Sequence, residues 1–383
     1  MFHLSDEAIR QIRLSQRPRK PKIRTSRFSS SGVVPFMRYR SLFTLLCGLF
    51  TAPLLQAAPA QQTFSDWQVT CNNQNFCVAR NTGMHGGLVM TLDRSAGART
   101  DAALRIDLGG KEAPPVKEPP IADRLLLDEQ PLKLTATHWQ ISPWHLMTDN
   151  AIGITDFLKT IQEGQTITLA GSKGKISLLG LKAALLFIDT QQKRVGSETA
   201  WIKKGDEPPL SVPPAPALKE VALVTTTPVP LTHQELNDLL DYANWRMNNT
   251  QCSLDPMRRE VRVTALTDDK ALLMIDCEAG AYNTVELAWL VSREKPFASR
   301  PVRLHLPFTP DNGNDEMELM NAMFDEKTRE LTTLSKGRGL ADCGVASRWR
   351  FDGQRFRLVR YAQEPTCDNW HGPDAWPTLW VTR

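Results

Sequence analysis

The sequence predicts an α+β, β-rich chain, with two domains of mostly antiparallel sheet and a few packed amphipathic helices. Three observations carry this. Short strand-like runs recur between Gly, Pro, Asn and Asp turns, while only three stretches repeat apolar residues firmly at helical spacing. Seven prolines between Glu207 and Pro230 divide the chain, in a composition that reads as an extended linker. The expected organisation is a prefix over 1–36, a cleaved export signal over 37–60, a first β-rich domain over 61–206, a linker over 207–230 and a disulfide-stapled β-rich domain over 231–383.

The export signal is read from its three parts. Arg38 and Arg40 form a basic start, Leu42 to Leu55 an apolar core, and Ala58-Pro59-Ala60 a small-x-small cleavage site before Gln61. The apolar core falls short of the roughly 20 residues that span a bilayer, and Pro53 interrupts it. No membrane span is therefore expected after cleavage. Cys47 lacks the preceding small residue that a lipid-anchored signal needs. Such signals begin at their own methionine, so Met37 stands where the chain should start. Residues 1–36, rich in Ser, Arg and Pro, read as an overcalled start or a disordered prefix.

Removing this segment reverses the charge. The first 60 residues hold ten Lys and Arg against two acids, a net of +8, so the whole-chain +4 leaves −4 for the rest. Nucleic-acid binding by net charge loses its support. The cysteine count changes as well, from seven to an even six: Cys71, Cys77, Cys252, Cys277, Cys343 and Cys367. An even count in an exported chain predicts disulfides. Their clustering in sequence predicts Cys71 with Cys77, Cys252 with Cys277, and Cys343 with Cys367. Zinc is the competing use, but no CxxC occurs, and Cys367 with His371 is the only cysteine and histidine pair at ligand-like spacing. No metal and no cofactor is expected.

In the first domain, Phe64, Trp67 and Val69 open a strand, Asn72 to Asn75 a turn, and Cys77-Val78-Ala79 the return strand. Further strands are expected over 87–92, 103–108, 124–127 and 165–169, with Pro114, Pro115, Pro119 and Pro120 marking a loop. Ala151, Ile154, Phe157, Leu158 and Ile161 form one helical face, stopped by Gly164. Leu181, Ala184, Leu185 and Ile188 form a second, ending before Gly196. Both helices should pack on a sheet.

The second domain starts with a T-x-x-E capping box at Thr232 and Glu235, stapled by Leu231 and Leu236. Leu236, Leu239, Leu240, Ala243 and Met247 make its apolar face. Strands follow over 260–266, 271–277, 285–291 and 302–306. Asn314 is placed to cap a short helix carrying Met317, Met320, Met323 and Phe324. Asp352-Gly353 signals a two-residue hairpin between 346–351 and 354–361.

That hairpin supplies the candidate site. A two-residue loop pairs Arg350 with Arg355 and Arg348 with Arg357. Because successive side chains alternate faces, Trp349, Phe351, Phe356 and Leu358 share one face, and Arg348, Arg350, Arg355 and Arg357 the other. Like charges directly opposite are destabilising. Four arginines therefore need either acids from an adjacent strand or an anionic ligand, an envelope polymer bearing carboxylate or phosphate, or an acidic protein partner. Arg suits the second use through its planar, bidentate fork.

Other motifs are weaker. Met317, Met320 and Met323 suit soft Cu(I), but a spacing of three along one helix stripe reads as core packing. Asp311, Gly313, Asp315 and Glu318 lack the order of a calcium loop. Ser292-Arg293-Glu294-Lys295 matches S-x-x-K without the helix or companion motifs of penicillin-recognising enzymes. His85, beside Gly86-Gly87, reads as a turn histidine, and Trp370, Trp376 and Trp380 read as packing or as a glycan platform.

Two family resemblances complete the reading. FSDWQVTC with its second cysteine, and the later KISLLGLKAALLFID, resemble the invasion-associated locus B family over residues 64–200, although Leu181 stands where an aromatic is usual. FSDWQVTC, IDCEAGAYN, SKGRGLADCG and WRFDGQRFRL together resemble the exported bacterial domain-of-unknown-function family 1176 over the whole remaining chain. The first implies export and a β-rich module, and the second a periplasmic or secreted location; neither implies a reaction. The expected function is non-enzymatic binding or envelope interaction in the periplasm or outside the cell. An uncharacterised hydrolase acting on envelope material is the alternative.

Overall fold

The computed structural model describes residues 58–383 apart from 100, 110–118, 135, 225 and 311–312. The prefix, the signal up to residue 57, Pro114, Pro115 and Asp311 lie outside the described residues.

Strand alternation builds the first sheet. Ala60–Phe64, Trp67–Cys71, Cys77–Asn81, Leu88–Arg94 and Ala102–Leu108 pair in sequence order, followed by His145–Thr148 and Gln140–Ile141. All neighbours are antiparallel. Trp67, Val69, Leu88, Met90, Leu92, Leu104 and Ile106 are fully buried on one face. The Trp67 indole N–H donates to the Ser177 carbonyl at 2.9 Å, in the smaller sheet formed by Lys175–Ser177, Thr166–Leu169, Leu125–Leu127 and Gln130–Pro131.

Two helices close this core. Helix α1 (Ala151–Ile161) is capped by the Asn150 side chain, which accepts from the N–H groups of Ile152 and Gly153, and it buries Ile154, Phe157, Leu158 and Ile161. Helix α2 (Leu181–Gln191) buries Leu181, Ala184, Leu185 and Ile188. It is entered at Gly180, whose φ is +96° and where a Cβ would meet the Phe64 carbonyl oxygen at 1.9 Å. Only glycine fits there.

Helix α3 (His233–Asn248) carries the expected capping box, with Thr232 N–H donating to Glu235 and Glu235 N–H to Thr232 Oγ1 at 2.7 and 3.2 Å. It buries Leu239 and Ala243 against the sheet of Val261–Ala265, Lys270–Ala279, Thr284–Ser292 and Ser299–Pro301. This sheet is covered on both sides. Ala271, Leu273 and Ile275 face α3, whereas Leu272 and Met274 join the core under a second sheet. A strand buried on both faces is apolar without alternation, which explains the continuous run ALLMI. The second sheet comprises Met323–Asp325, Glu330–Lys336, Gly344–Phe351, Phe356–Glu364 and Thr378–Val381.

The expected methionine helix is not formed. Glu316–Met317 pairs with Leu304–His305, Leu319–Met320 with Glu286 and Val285, and Met323–Asp325 with Glu330–Thr332. Asn321, at a φ of 45°, turns the chain between these ladders, its side chain donating to the Asn283 side chain and the Leu334 carbonyl. Edge pairing to three partners outweighs the spacing of three. Leu319 and Ala322 are buried, and Met323 is exposed.

Cys71–Cys77, Cys252–Cys277 and Cys343–Cys367 are bonded as the sequence predicts. Residues of the proline-rich segment lie along the C-terminus, where Val221 N–H donates to the Arg383 carbonyl and Arg383 N–H to the Lys219 carbonyl.

Glu286 sits buried beside this strand pairing, accepting from Ala322 N–H at 2.8 Å, with Arg262 at 3.9 Å. Burial pushes its carboxyl from 4.5 up to about 7, against the opposing pull of the Ala322 N–H and Arg262. A folded-state value above the unfolded one means that the folded protein holds the proton more tightly. The contribution is fully present below pH 4.5 and lost as pH rises through about 7. Glu286→Gln is expected to flatten the pH dependence of urea stability across that window. A variant as pH-dependent as the parent would refute the assignment.

Candidate functional site

The arginine hairpin closes differently from the predicted register. Asp352 accepts from the N–H groups of Gln354 and Arg355 at 2.9 and 2.8 Å, and its own N–H donates to the Arg355 carbonyl. This makes a four-residue loop, so Phe351 faces Phe356, Trp349 faces Leu358 and Arg350 faces Arg357. The shift is two residues, which preserves the parity of each strand. Trp349, Phe351, Phe356 and Leu358 therefore still share the buried face. A bulge beyond Trp349 then sets Arg348 opposite Arg360.

The four arginines do not act as one surface. Arg350 and Arg348 converge on Glu330 of the neighbouring strand at 2.9 and 3.7 Å. Arg357 pairs with Asp352 at 2.7 Å. These contacts supply the acids that the like-charge argument requires. Arg355 lies in the loop, exposed, with no ion pair among the described residues.

Arg355 and Arg357 instead border a groove of about 490 Å³ between the hairpin, the strand Leu304–His305 and the proline-rich segment. Its apolar lining includes Phe356, Leu358 and Trp380, all buried, and Trp380 is stacked on Phe308 at 5.6 Å. Lys219, Arg303, Arg355 and Arg357 line it against the carboxylates Glu220 and Asp352. Arg303 also reaches Glu316 at 3.5 Å, and the Lys219 ammonium stands 6.0 Å from the Trp380 ring centre. Cations thus surround an aromatic floor. Lys219 and Arg303 could not be found from hairpin spacing, because they arrive from elements 50 to 140 residues away.

A second cluster joins the two halves of the chain. The outward face of the first sheet carries Gln68, Arg80, Asp93 and Arg105, and the segment 364–378 crosses it. Arg80 reaches Glu364 at 2.6 Å and Asp368 at 3.2 Å. His85 Nδ1 accepts from Gly87 N–H at 3.1 Å, which leaves its proton on Nε2, 3.6 Å from Asp368. Trp370 packs edge-on to His85 and over Gly109. Burial pushes the Glu364 carboxyl up, opposed chiefly by Arg80.

The S-x-x-K residues and Cys367 are held in structural contacts. Ser292 Oγ donates to the Glu294 carbonyl and accepts from Ala298 N–H, while Lys295 pairs with Asp238. Cys367 is committed to its disulfide, which withdraws it from metal binding with His371. Trp376 and Trp380 are buried and line separate cavities, so the three tryptophans form no shared open platform. Among the described residues, no three His, Cys, Asp or Glu side chains group as metal ligands, and no helix is long and apolar enough to cross a membrane.

The family model DUF1176, a protein of unknown function, matches residues 61–383. The chain is also similar to "Uncharacterized protein YpfG" of Escherichia coli strain K12, with 72% identity over 347 residues, 91% of this chain and 100% of that protein. No solved structure matches it significantly. These matches carry the family 1176 resemblance across residues 61–383; they do not bear on the locus B likeness.

Proposed function

We propose that this chain, which belongs to the DUF1176 family, is an exported binding protein whose groove beside the hairpin 344–364 takes a carboxylate- or phosphate-bearing envelope polymer. Export is supported by three disulfides, which persist in oxidising compartments, together with the signal-like stretch before Gln61. The observation that carries the binding reading is Arg355, an exposed guanidinium with no ion pair among the described residues, on an aromatic-floored groove shared with Lys219, Arg303 and Arg357. A planar fork held there pairs bidentately with carboxylate or phosphate, and the aromatic floor covers the apolar backbone of a polymer.

Poly-L-glutamate and polyphosphate serve as probes. The double substitution Arg303→Glu with Arg355→Glu is expected to weaken binding more than tenfold, and the parent's affinity should fall as salt rises. Arg348→Glu, outside the groove, should leave affinity within about twofold. Equal loss from Arg348→Glu would return the site to the strand face, and unchanged affinity in the double variant would remove the groove altogether.

A further inference from the structure

The cavity at the crossing of 364–378 over the first sheet is separate from the anion groove. It measures about 300 Å³ and is lined by Gln68, Asp93, Arg105, Phe76 and Trp376, among others. Three of its groups, Gln68, Asp93 and Arg105, bear on what it could hold. Gln68 is 3% exposed, and its Oε1 is buried without a hydrogen-bond partner among the described residues. A buried acceptor left unmatched costs about 1–3 kcal/mol, and the Gln68 side chain lines this cavity. Asp93 is half-buried, and Arg105 is exposed at the mouth; no ion pair within 4 Å joins them or engages either with another described residue. Burial pushes the Asp93 carboxyl up, and Arg105 only partly offsets this through space.

We infer that this cavity is a ligand site for a small zwitterion of the amino-acid or dipeptide class. Asp93 would receive the ammonium group and Arg105 the carboxylate, with Phe76 and Trp376 against its apolar part. The arrangement follows from the sheet. Strands Trp67–Cys71, Leu88–Arg94 and Ala102–Leu108 put Gln68, Asp93 and Arg105 on one face by alternation. The C-terminal segment then roofs that face with Trp376, whose indole N–H is held by the His371 carbonyl at 3.2 Å. An acid and a base on one face with no ion pair between them, beside an aromatic wall, match a ligand of both charges better than an ion of one. The inference does not rest on the groove, and its variants leave Arg303 and Arg355 intact.

The test uses the full, oxidised chain, with the Gln68 carboxamide and Trp376 indole resonances followed by NMR. The common amino acids and glycylglycine are titrated singly, with acetate and ethylammonium as one-charge controls. At least one zwitterion is expected to shift both resonances saturably, and Asp93→Asn and Arg105→Gln should each weaken it about tenfold. Both side chains lie at the surface side of the sheet, so these variants should fold; unchanged thermal midpoints check this. No shift from any zwitterion overturns the proposal. So does equal affinity in both variants, or saturation by acetate or ethylammonium alone.

Discussion

Arg80→Met is expected to lower folding stability by about 3–5 kcal/mol, the range for removing one partner from a buried ion cluster. The Glu364 and Asp368 side chains are each 1% exposed and both depend on the Arg80 guanidinium. Methionine fills much of the space but leaves two buried carboxylates without their guanidinium, holding backbone N–H donors and, for Asp368, His85 at 3.6 Å. The damage should concentrate in the crossing segment. There, Thr366 N–H donates to Glu364, Trp370 N–H to Asp368 and Asn369 N–H to Asp342. Hydrogen exchange is therefore expected to speed up at Thr366 and Trp370 more than in helix α3. Adding Glu364→Gln should recover part of the loss, since one of the stranded charges is then removed. A urea-derived loss below about 1 kcal/mol would show that water replaces Arg80.

Asp189→Ala should be comparably severe, at about 3–5 kcal/mol. Asp189 is fully buried near the end of α2 and holds three partners: Arg94 at 3.3 Å, and the N–H groups of Trp201 and Ile202 at 2.9 Å each. Its loss strands a guanidinium that is already under strain from burial and from Arg194, with the Arg94 pKa lowered to about 9. Arg94 would retain the Thr199 carbonyl at 2.5 Å and the Trp201 ring at 4.2 Å. Arg194 donates to the carbonyls of Ser95, Gly97 and Arg99, so the loop after Leu88–Arg94 should loosen as well. Asp189→Asn keeps an acceptor for the backbone N–H groups and should lose less. Equal losses for Asn and Ala would place the whole effect in the charge; a negligible loss for Ala would refute the cluster's structural role. Urea titration of the two variants against the parent decides between these.

The candidate site was half legible in the sequence. Parity along the hairpin foretold which side of 344–364 is apolar, because a register shift of two residues leaves every side chain on its own face. It could not foretell that Arg355 leaves the strand. That depends on Asp352 capturing two N–H groups of the loop, a choice between turn types that the Asp-Gly pair leaves open. The methionine stretch failed for a related reason: spacing of three describes a helix only when no edge strand is nearby, and here three strands compete for it.

What the sequence by itself determined is local. It includes the capping box of α3, the buried stripes of α1 and α2, the three cysteine pairs and the alternation of the first sheet, each set by residues within about 25 positions of one another. Tertiary structure alone decided that the polar face of that sheet is roofed. In sequence, Gln68, Arg80, Asp93 and Arg105 look like an ordinary solvated face. They become a charged junction and a cavity because Glu364, Asp368 and Trp376 arrive from about 260 to 310 residues away. Polar alternation says which face turns from its own core, and it carries no information about what later chain will cover that face.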